Sequence, residues 1–241
     1  MLDLGMQLVK GDWSDAMRAA RLTALLKGVP DEATGAQAIR PIASGEALRL
    51  AVGRAMLKAM DARIEETLLP AHQMSFTTDG CQIIYQLIRR HLAENPGHVC
   101  VEGDESSAFQ RACRPQMRKE LMKSLPEFVP YFHGAYDAPA GLHYAGHVMD
   151  PALSCNGAQQ GCSWGTLLFG LSRKQDMVDL IAAHPACLIL SQSDDIFIVG
   201  PPTEVAASAT CGARPPPAPN TLTSKLLATP RVAPPAPPWP P

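Results

Sequence analysis

Two adjacent carboxylates, Asp194 and Asp195, close the polar centre of Leu188-Ile189-Leu190-Ser191-Gln192-Ser193-Asp194-Asp195-Ile196-Phe197-Ile198-Val199. The β-branched and apolar runs on either side predict a strand–turn–strand hairpin with the acids at its tip. Neighbouring carboxylates repel, and a hard divalent cation relieves that repulsion most simply. Read alone, the pair is also a plain solvated turn, because Asp favours turns on its own account. A third acid widens the chemistry on offer. Asp104 ends His98-Val99-Cys100-Val101-Glu102-Gly103-Asp104, a short buried-strand pattern. With that strand end beside the hairpin tip, three carboxylates converge and suit two magnesium ions. One ion lowers the pKa of an attacking hydroxyl and the other neutralises a leaving pyrophosphate, which is the chemistry of nucleotidyl transfer.

The elements that must position these acids can be read along the chain. Residues 12–27 predict a short helix, with Ala16, Ala19, Ala20 and Leu22 at helical spacing. Ile39-Arg40-Pro41-Ile42 is expected to be extended, since a residue before proline is pushed out of the α region. Ser44 is expected to cap a helix carried by Leu48, Val52, Ala55, Met56, Ala59 and Met60 to about Leu68, where Pro70 ends it. Asp79 caps another, with Ile83, Ile84, Leu87, Ile88, His91 and Leu92 on one face and Asn95-Pro96-Gly97 as its stop. Pro115 suits the first turn of a helix whose inner face is Met117, Leu121, Met122 and Leu125. Residues 126–153 read as a loop-rich stretch with aromatics that pack.

The stretch from Ser154 to Gly165 is a polar, glycine-rich loop, and its glycines at 157, 161 and 165 let backbone approach a ligand closely. A helix from about Lys174 to Ala183 leads into the acidic hairpin. This order predicts an α+β fold, an antiparallel split βαβ sheet covered by helices on one side.

Composition bounds the rest. The 241 residues are 46% hydrophobic and 18% charged, ample for a core of one or two domains. The stretch from Arg214 to Pro241 is the exception: 11 of its 28 residues are proline. Proline removes backbone donors and fixes φ, so disorder or polyproline structure is expected there. Seven cysteines without a C-x-x-C pair read as reduced thiols rather than zinc ligands. No apolar run is long enough for a membrane helix and no signal peptide is evident, so an intracellular chain of cytoplasm or nucleus, away from membranes, is expected. The formal charge of -2 and pI near 6.4 do not advertise nucleic-acid binding. The cationic clusters (Arg40, Arg49, Arg54 and Lys58; Arg111, Arg114, Arg118, Lys119 and Lys123; Arg173 and Lys174) read as solvated helix faces.

Four motifs in order carry a resemblance. Asp104-Glu105-Ser106-Ser107-Ala108-Phe109 places Ala and an aromatic four and five residues after an Asp. Asn156-Gly157-Ala158-Gln159-Gln160-Gly161 precedes Leu167-Leu168-Phe169. Ser193-Asp194-Asp195 lies between apolar flanks. Leu22-Thr23-Ala24-Leu25 through Lys27 precedes Arg40-Pro41-Ile42. Over residues 20–205 the chain resembles the reverse transcriptase domain of non-LTR (LINE-type) retrotransposons.

The resemblance implies a polymerase with a ferredoxin-like split βαβ palm. Residues 1–78 would be part of the fingers, 79–209 an incomplete palm and 210–241 a Pro-rich tail, with no thumb. Asp104, Asp194 and Asp195 would be catalytic and hold two Mg2+ ions, or Mn2+. Lys27, Arg40, Phe109, Gln160 and Gly161 would bind the nucleotide. Arg40 and Lys27 would meet the triphosphate, and the Phe109 ring would fill the space a ribose 2′-OH needs. An RNA template, a DNA primer and dNTPs are the implied partners. The implied function is RNA-directed DNA synthesis. The alternative is an inactive reverse-transcriptase fragment or relic of the same fold, with at most residual nucleic-acid binding.

The sequence departs from the family in two places. Gln192 stands where an aromatic is usual. Cys162-Ser163-Trp164-Gly165-Thr166 replaces a segment that ordinarily carries two prolines, which predicts a looser loop.

Overall fold

Val99–Asp104, Leu188–Gln192 and Asp195–Gly200 form the sheet that carries the acids. The computed structural model describes residues 2–105, 107–150 and 154–212. In chain order these form α1 (Leu2–Lys10), α2 (Asp15–Arg18), β1 (Ala20–Lys27), β2 (Ala38–Gly45), α3 (Ala47–Ala59), α4 (Asp61–Leu68) and a 3-10 turn at Leu69–Ala71. Then come α5 (Gly80–Glu94), β3 (Val99–Asp104), α6 (Ala108–Arg111), α7 (Arg114–Ser124), a 3-10 turn at Pro126–Phe128 and α8 (Val129–Tyr136). The last elements are β4 (Leu142–Tyr144), β5 (His147–Val148), α9 (Gly165–Ala183), β6 (Leu188–Gln192), β7 (Asp195–Gly200) and α10 (Pro202–Gly212). Two units share them: residues 1–67 with 107–172, and residues 68–106 with those from 173 onward.

In the second unit the strand order is β3-β7-β6, and β7 is antiparallel to both neighbours. β3 and β6 are therefore parallel with β7 inserted between them, which is the split βαβ arrangement the element order predicts. Successive strand residues face opposite sides, and the packing follows that period. Ile189 and Ile198, with Val99, Val101 and Ile196, pack on Met177 and Leu180 of α9 and Val205 of α10. Leu190, with Leu188 and Phe197, packs on Met74 and on Ile84 and Ile88 of α5. Helices thus cover both faces, not one. The strands announce this: Leu188-Ile189-Leu190 and Ile196-Phe197-Ile198-Val199 are continuous apolar runs, the pattern of strands buried on both sides.

The first unit holds a mixed four-stranded sheet, β2-β1-β4-β5. β1 and β2 pair antiparallel over eight residues, from Ala20 with Gly45 to Lys27 with Ala38. β1 runs parallel to β4, and β4 antiparallel to β5. Ala20, Ala43 and Leu142 close the inner face of this sheet. The helical core of the unit is built from Met117 and Leu121 of α7, Leu125 just after it, the aromatics Phe128, Tyr131 and Phe132, and Trp164, all buried.

Several local expectations give way to tertiary structure. Ala20–Lys27 is a strand, not the end of a helix; its apolar residues fit either period, and the eight-residue pairing with β2 decides. Ser44 lies in β2 opposite Arg21, and Glu46 takes the cap position of α3 without a side-chain bond. The long helix expected to reach Leu68 breaks at Met60. Asp79 occupies the cap of α5 in a left-handed conformation without capping by its side chain. Met122 is exposed rather than on the inner face of α7. The loop-rich stretch contains α8, β4 and β5. α9 begins at Gly165, nine residues before Lys174. Residues 210–212 belong to α10, and the Pro-rich stretch from 213 onward lies outside the described residues. The six described cysteines are free thiols.

Candidate active site

β3 and β7 are in register so that Asp104 and Asp195 are Cα partners at the end of the pair, with Gln192 opposite Asp195 on β6. Opposed residues of an antiparallel pair have Cα atoms about 4.5–5.5 Å apart. Asp194 follows Ser193 in the two-residue turn between β6 and β7. Both Asp194 and Asp195 are partly exposed. The backbone thus brings all three acidic positions to one end of one sheet. The side chain of Asp104 lies outside the described residues, and among the described residues no three His, Cys, Asp or Glu side chains gather as a metal site. The donors at this end are hard carboxylate oxygens, the type magnesium selects.

The turn is anchored from outside the hairpin. Ser193 has φ 57, a conformation uncommon for a residue with a side chain. Its backbone N–H donates to Gln73 Oε1 at 2.8 Å and to Ser75 Oγ at 2.7 Å, and its carbonyl accepts from Gln73 Nε2 at 3.0 Å. Ser75 Oγ also donates to Gln73 Oε1 at 2.7 Å. Gln73 is 5% exposed. The residues on either side of it run along the outer edge of β6: Ser191 N–H donates to the His72 carbonyl, and Met74 N–H to that of Ser191. A buried amide therefore fixes the backbone between Gln192 and Asp194. Nearby, Arg173 of α9 pairs with Glu105, the residue after β3, at 3.5 Å.

The glycine-rich loop belongs to the first unit. Gly157 has φ +69, and a Cβ there would overlap the carbonyl oxygens of Phe109 and Gln110. Ala158 N–H donates to the Phe109 carbonyl at 2.8 Å, so loop and α6 are laced together. Gly161 has φ +112, and a Cβ would stand 2.7 Å from the Ala43 carbonyl oxygen. The Gln160 carbonyl accepts from Ala43 N–H at 2.7 Å, and its side-chain oxygen accepts from Gln110 Nε2 at 3.3 Å. Gln160 and Gly161 thus line the edge of β2. Gln159 turns inward, where buried Arg49 donates to its Oε1 at 3.0 Å.

Phe109 stacks on Phe169 of α9, ring centroids 5.1 Å apart, and a Cβ at Gly165 would stand 3.6 Å from its ring. It is half-buried. Lys27 and Arg40 come together on the β1–β2 hairpin. Arg40 pairs with Leu25 and Lys27 with Ala38, so the two cations are diagonal neighbours on one face, about 7–8 Å apart. Both are exposed. The structure joins the acids in one unit, and the loop, aromatic and cations in the other.

No family model and no curated protein matches the chain. Solved structures do. The fold is similar to that of telomerase. Apo telomerase from Candida tropicalis, truncated from its C-terminal domain, superposes with a TM-score of 0.55 at 10% identity. That match covers 83% of this chain and 47% of the other. A second apo telomerase structure from the same organism gives a TM-score of 0.53 at 10% identity, covering 80% and 41%. The chain therefore spans under half the length of either telomerase. At 10% identity the likeness is one of fold alone. Among the described residues no helix is long and apolar enough to cross a membrane.

Three supporting residues escape a reading of the sequence. Gln73 lies in Ala71-His72-Gln73-Met74-Ser75, which carries no periodic signal. Arg49 is 1% exposed rather than on a solvated face; it reaches the Arg18 carbonyl at 3.2 Å and lies over the Trp13 ring. Its position beside Leu48 and Leu50 on a helix was the available hint. Trp164, in the segment without prolines, is fully buried. Its Nε1 donates to the Gly53 carbonyl at 3.0 Å, and it stacks on Tyr131 with centroids 4.2 Å apart. An aromatic anchor holds the loop that was expected to be loose.

Proposed function

We propose that this chain is an RNA-directed DNA polymerase domain of the non-LTR retrotransposon type, adding dNTPs to a DNA primer on an RNA template. The observation that carries the reading is the register of β3 and β7, which sets Asp104 opposite Asp195 beside the Asp194 turn. The telomerase-like fold supports it. In this reading residues 1–78 serve as fingers and 79–209 as palm.

Asp104, Asp194 and Asp195 would hold Mg2+, or Mn2+ in its place. When bound, such ions supply positive charge that favours an ionised primer hydroxyl and a departing pyrophosphate. The chain's own residues do the positioning. Gln73 fixes the turn that carries Asp194, so the acid is held without reorganisation during the reaction. Arg40 and Lys27 suit the triphosphate; a guanidinium can meet phosphate oxygens with two parallel hydrogen bonds. Gln160 and Gly161 form a backbone surface against which a base or template strand can lie. The Phe109 ring, backed by Phe169, disfavours a ribose 2′-OH.

Extension of a labelled DNA primer on an RNA template with Mg2+ and dNTPs tests the proposal. Product from the wild type and none from Asp194→Asn supports it. Retained RNA binding with no product from either leaves a nucleic-acid-binding domain of the same fold.

A further inference from the structure

A groove of about 770 Å3 in the first unit has no role in the proposed chemistry. Its lining includes Arg114, Arg118, Lys119 and Lys123 of α7, with Phe132 and Tyr136 of α8. The cations differ in availability. Arg114 is fully engaged: its guanidinium donates to the carbonyls of Gly157, Tyr136, Ser154 and Asn156 and lies over the Tyr136 ring. It is structural, tying the start of α7 to the glycine-rich loop. Arg118, Lys119 and Lys123 are exposed, and among the described residues none has an ion-pair partner. The acid in the groove, Asp137, is hydrogen-bonded to the His133 ring. The groove therefore presents three unneutralised positive charges in a protein whose formal charge is -2.

The geometry selects the kind of anion. Lys119 and Lys123 are four residues apart, about 6 Å along the helix axis, with Arg118 beside them. That is a row of charges, not a pocket converging on one point. Among the described lining residues, no unengaged buried polar side chain is present to cradle a single phosphate. Phe132 and Tyr136 are each 2% exposed, so their faces are not open for base stacking. What remains is a row of solvated cations along an open groove, which suits a linear polyanion bound through charge alone.

We infer that this groove binds the phosphate backbone of a nucleic acid strand without regard to sequence. The choice of nucleic acid over other polyanions rests on the polymerase reading; the site itself does not depend on catalysis.

The test is binding of a fluorescein-labelled single-stranded RNA of mixed sequence to the full chain, followed by anisotropy across a salt series. The triple variant R118Q/K119Q/K123Q should lose affinity about tenfold or more at low salt. Its log–log salt dependence should flatten by about 2, the contribution of three phosphate contacts to a single strand. K10Q/R54Q/K58Q removes three exposed charges elsewhere in the same unit and should bind as wild type. The charge-preserving R118K/K119R/K123R should do the same. Unchanged binding or salt slope in the triple variant overturns the inference. So does an equal loss in the control variant, which would mean net charge alone, or equal displacement of the RNA by polyglutamate of matched charge. Asp194→Asn separates the two proposals: it should abolish synthesis and leave this binding intact.

Discussion

Asp104 and Asp195 are paired across β3 and β7, the last residue of one strand and the first of the other, at the end where the Ser193–Asp194 turn lies. Like charges at directly opposed positions are destabilising in a sheet, and on the proposed reading a bound divalent cation would offset that repulsion. Magnesium at about ten times its dissociation constant should raise the unfolding free energy by about 1.4 kcal/mol. Calorimetry with and without Mg2+ reads this directly. The rise should vanish in Asp195→Asn; an undiminished rise in that variant would place the ion elsewhere.

Gln73 holds the turn through two bonds with Ser193 and two accepted from Ser75. Gln73→Ala leaves the Ser193 N–H with Ser75 alone and its carbonyl unpaired, and should cost about 2 kcal/mol. Gln73→Glu keeps the acceptor half and should fall between. Urea midpoints rank the three proteins. Equal midpoints for Gln73→Ala and wild type would mean the hairpin sets its own turn.

The glycine-rich loop is held by close approach and by an aromatic anchor. Gly157→Ala meets both a left-handed backbone and the Phe109 and Gln110 carbonyls, whereas Gly28→Ala meets a left-handed backbone in open space. Gly28→Ala should cost about 1–2 kcal/mol and Gly157→Ala distinctly more. Trp164→Ala should cost about 3–5 kcal/mol through the cavity it leaves. Thermal unfolding of the three variants checks the order; Gly157→Ala matching Gly28→Ala would contradict the packing described.

Burial raises the pKa of the Cys100 and Cys187 thiols and of the Tyr131 and Tyr136 phenols. Each group holds its proton more tightly folded than unfolded. Its contribution is complete below the unfolded value and is lost as pH rises toward the folded one. Stability should therefore decline on the alkaline side, first above about pH 8.5 from the thiols and then more steeply above about pH 10 from the phenols. C100S/C187S should flatten the first decline and leave the second. A decline beginning below neutrality would contradict this assignment.

The split βαβ core was legible in the sequence because its strands are short apolar runs, and the register places Asp104 opposite Asp195 at one end of the sheet. Lys27 and Arg40 were legible only as motif residues. Their meeting depends on β1, whose apolar spacing fits helix as well as strand until β2 pairs with it. Gln73 and Arg49 left little trace, because each works through hydrogen bonds to residues more than a hundred positions away. Trp164 shows the reverse case. Its segment read as a loss of two stiffening prolines, and the buried ring that compensates is set by Gly53 and Tyr131, far off in sequence.

Primer extension tests the central claim most directly. Wild-type chain should add dNTPs to a DNA primer on an RNA template in Mg2+, lose that product when EDTA is added, and prefer dNTPs over rNTPs. Asp104→Asn, Asp194→Asn and Asp195→Asn should each reduce the product at least a thousandfold. Product that persists at wild-type yield in all three variants would contradict the account.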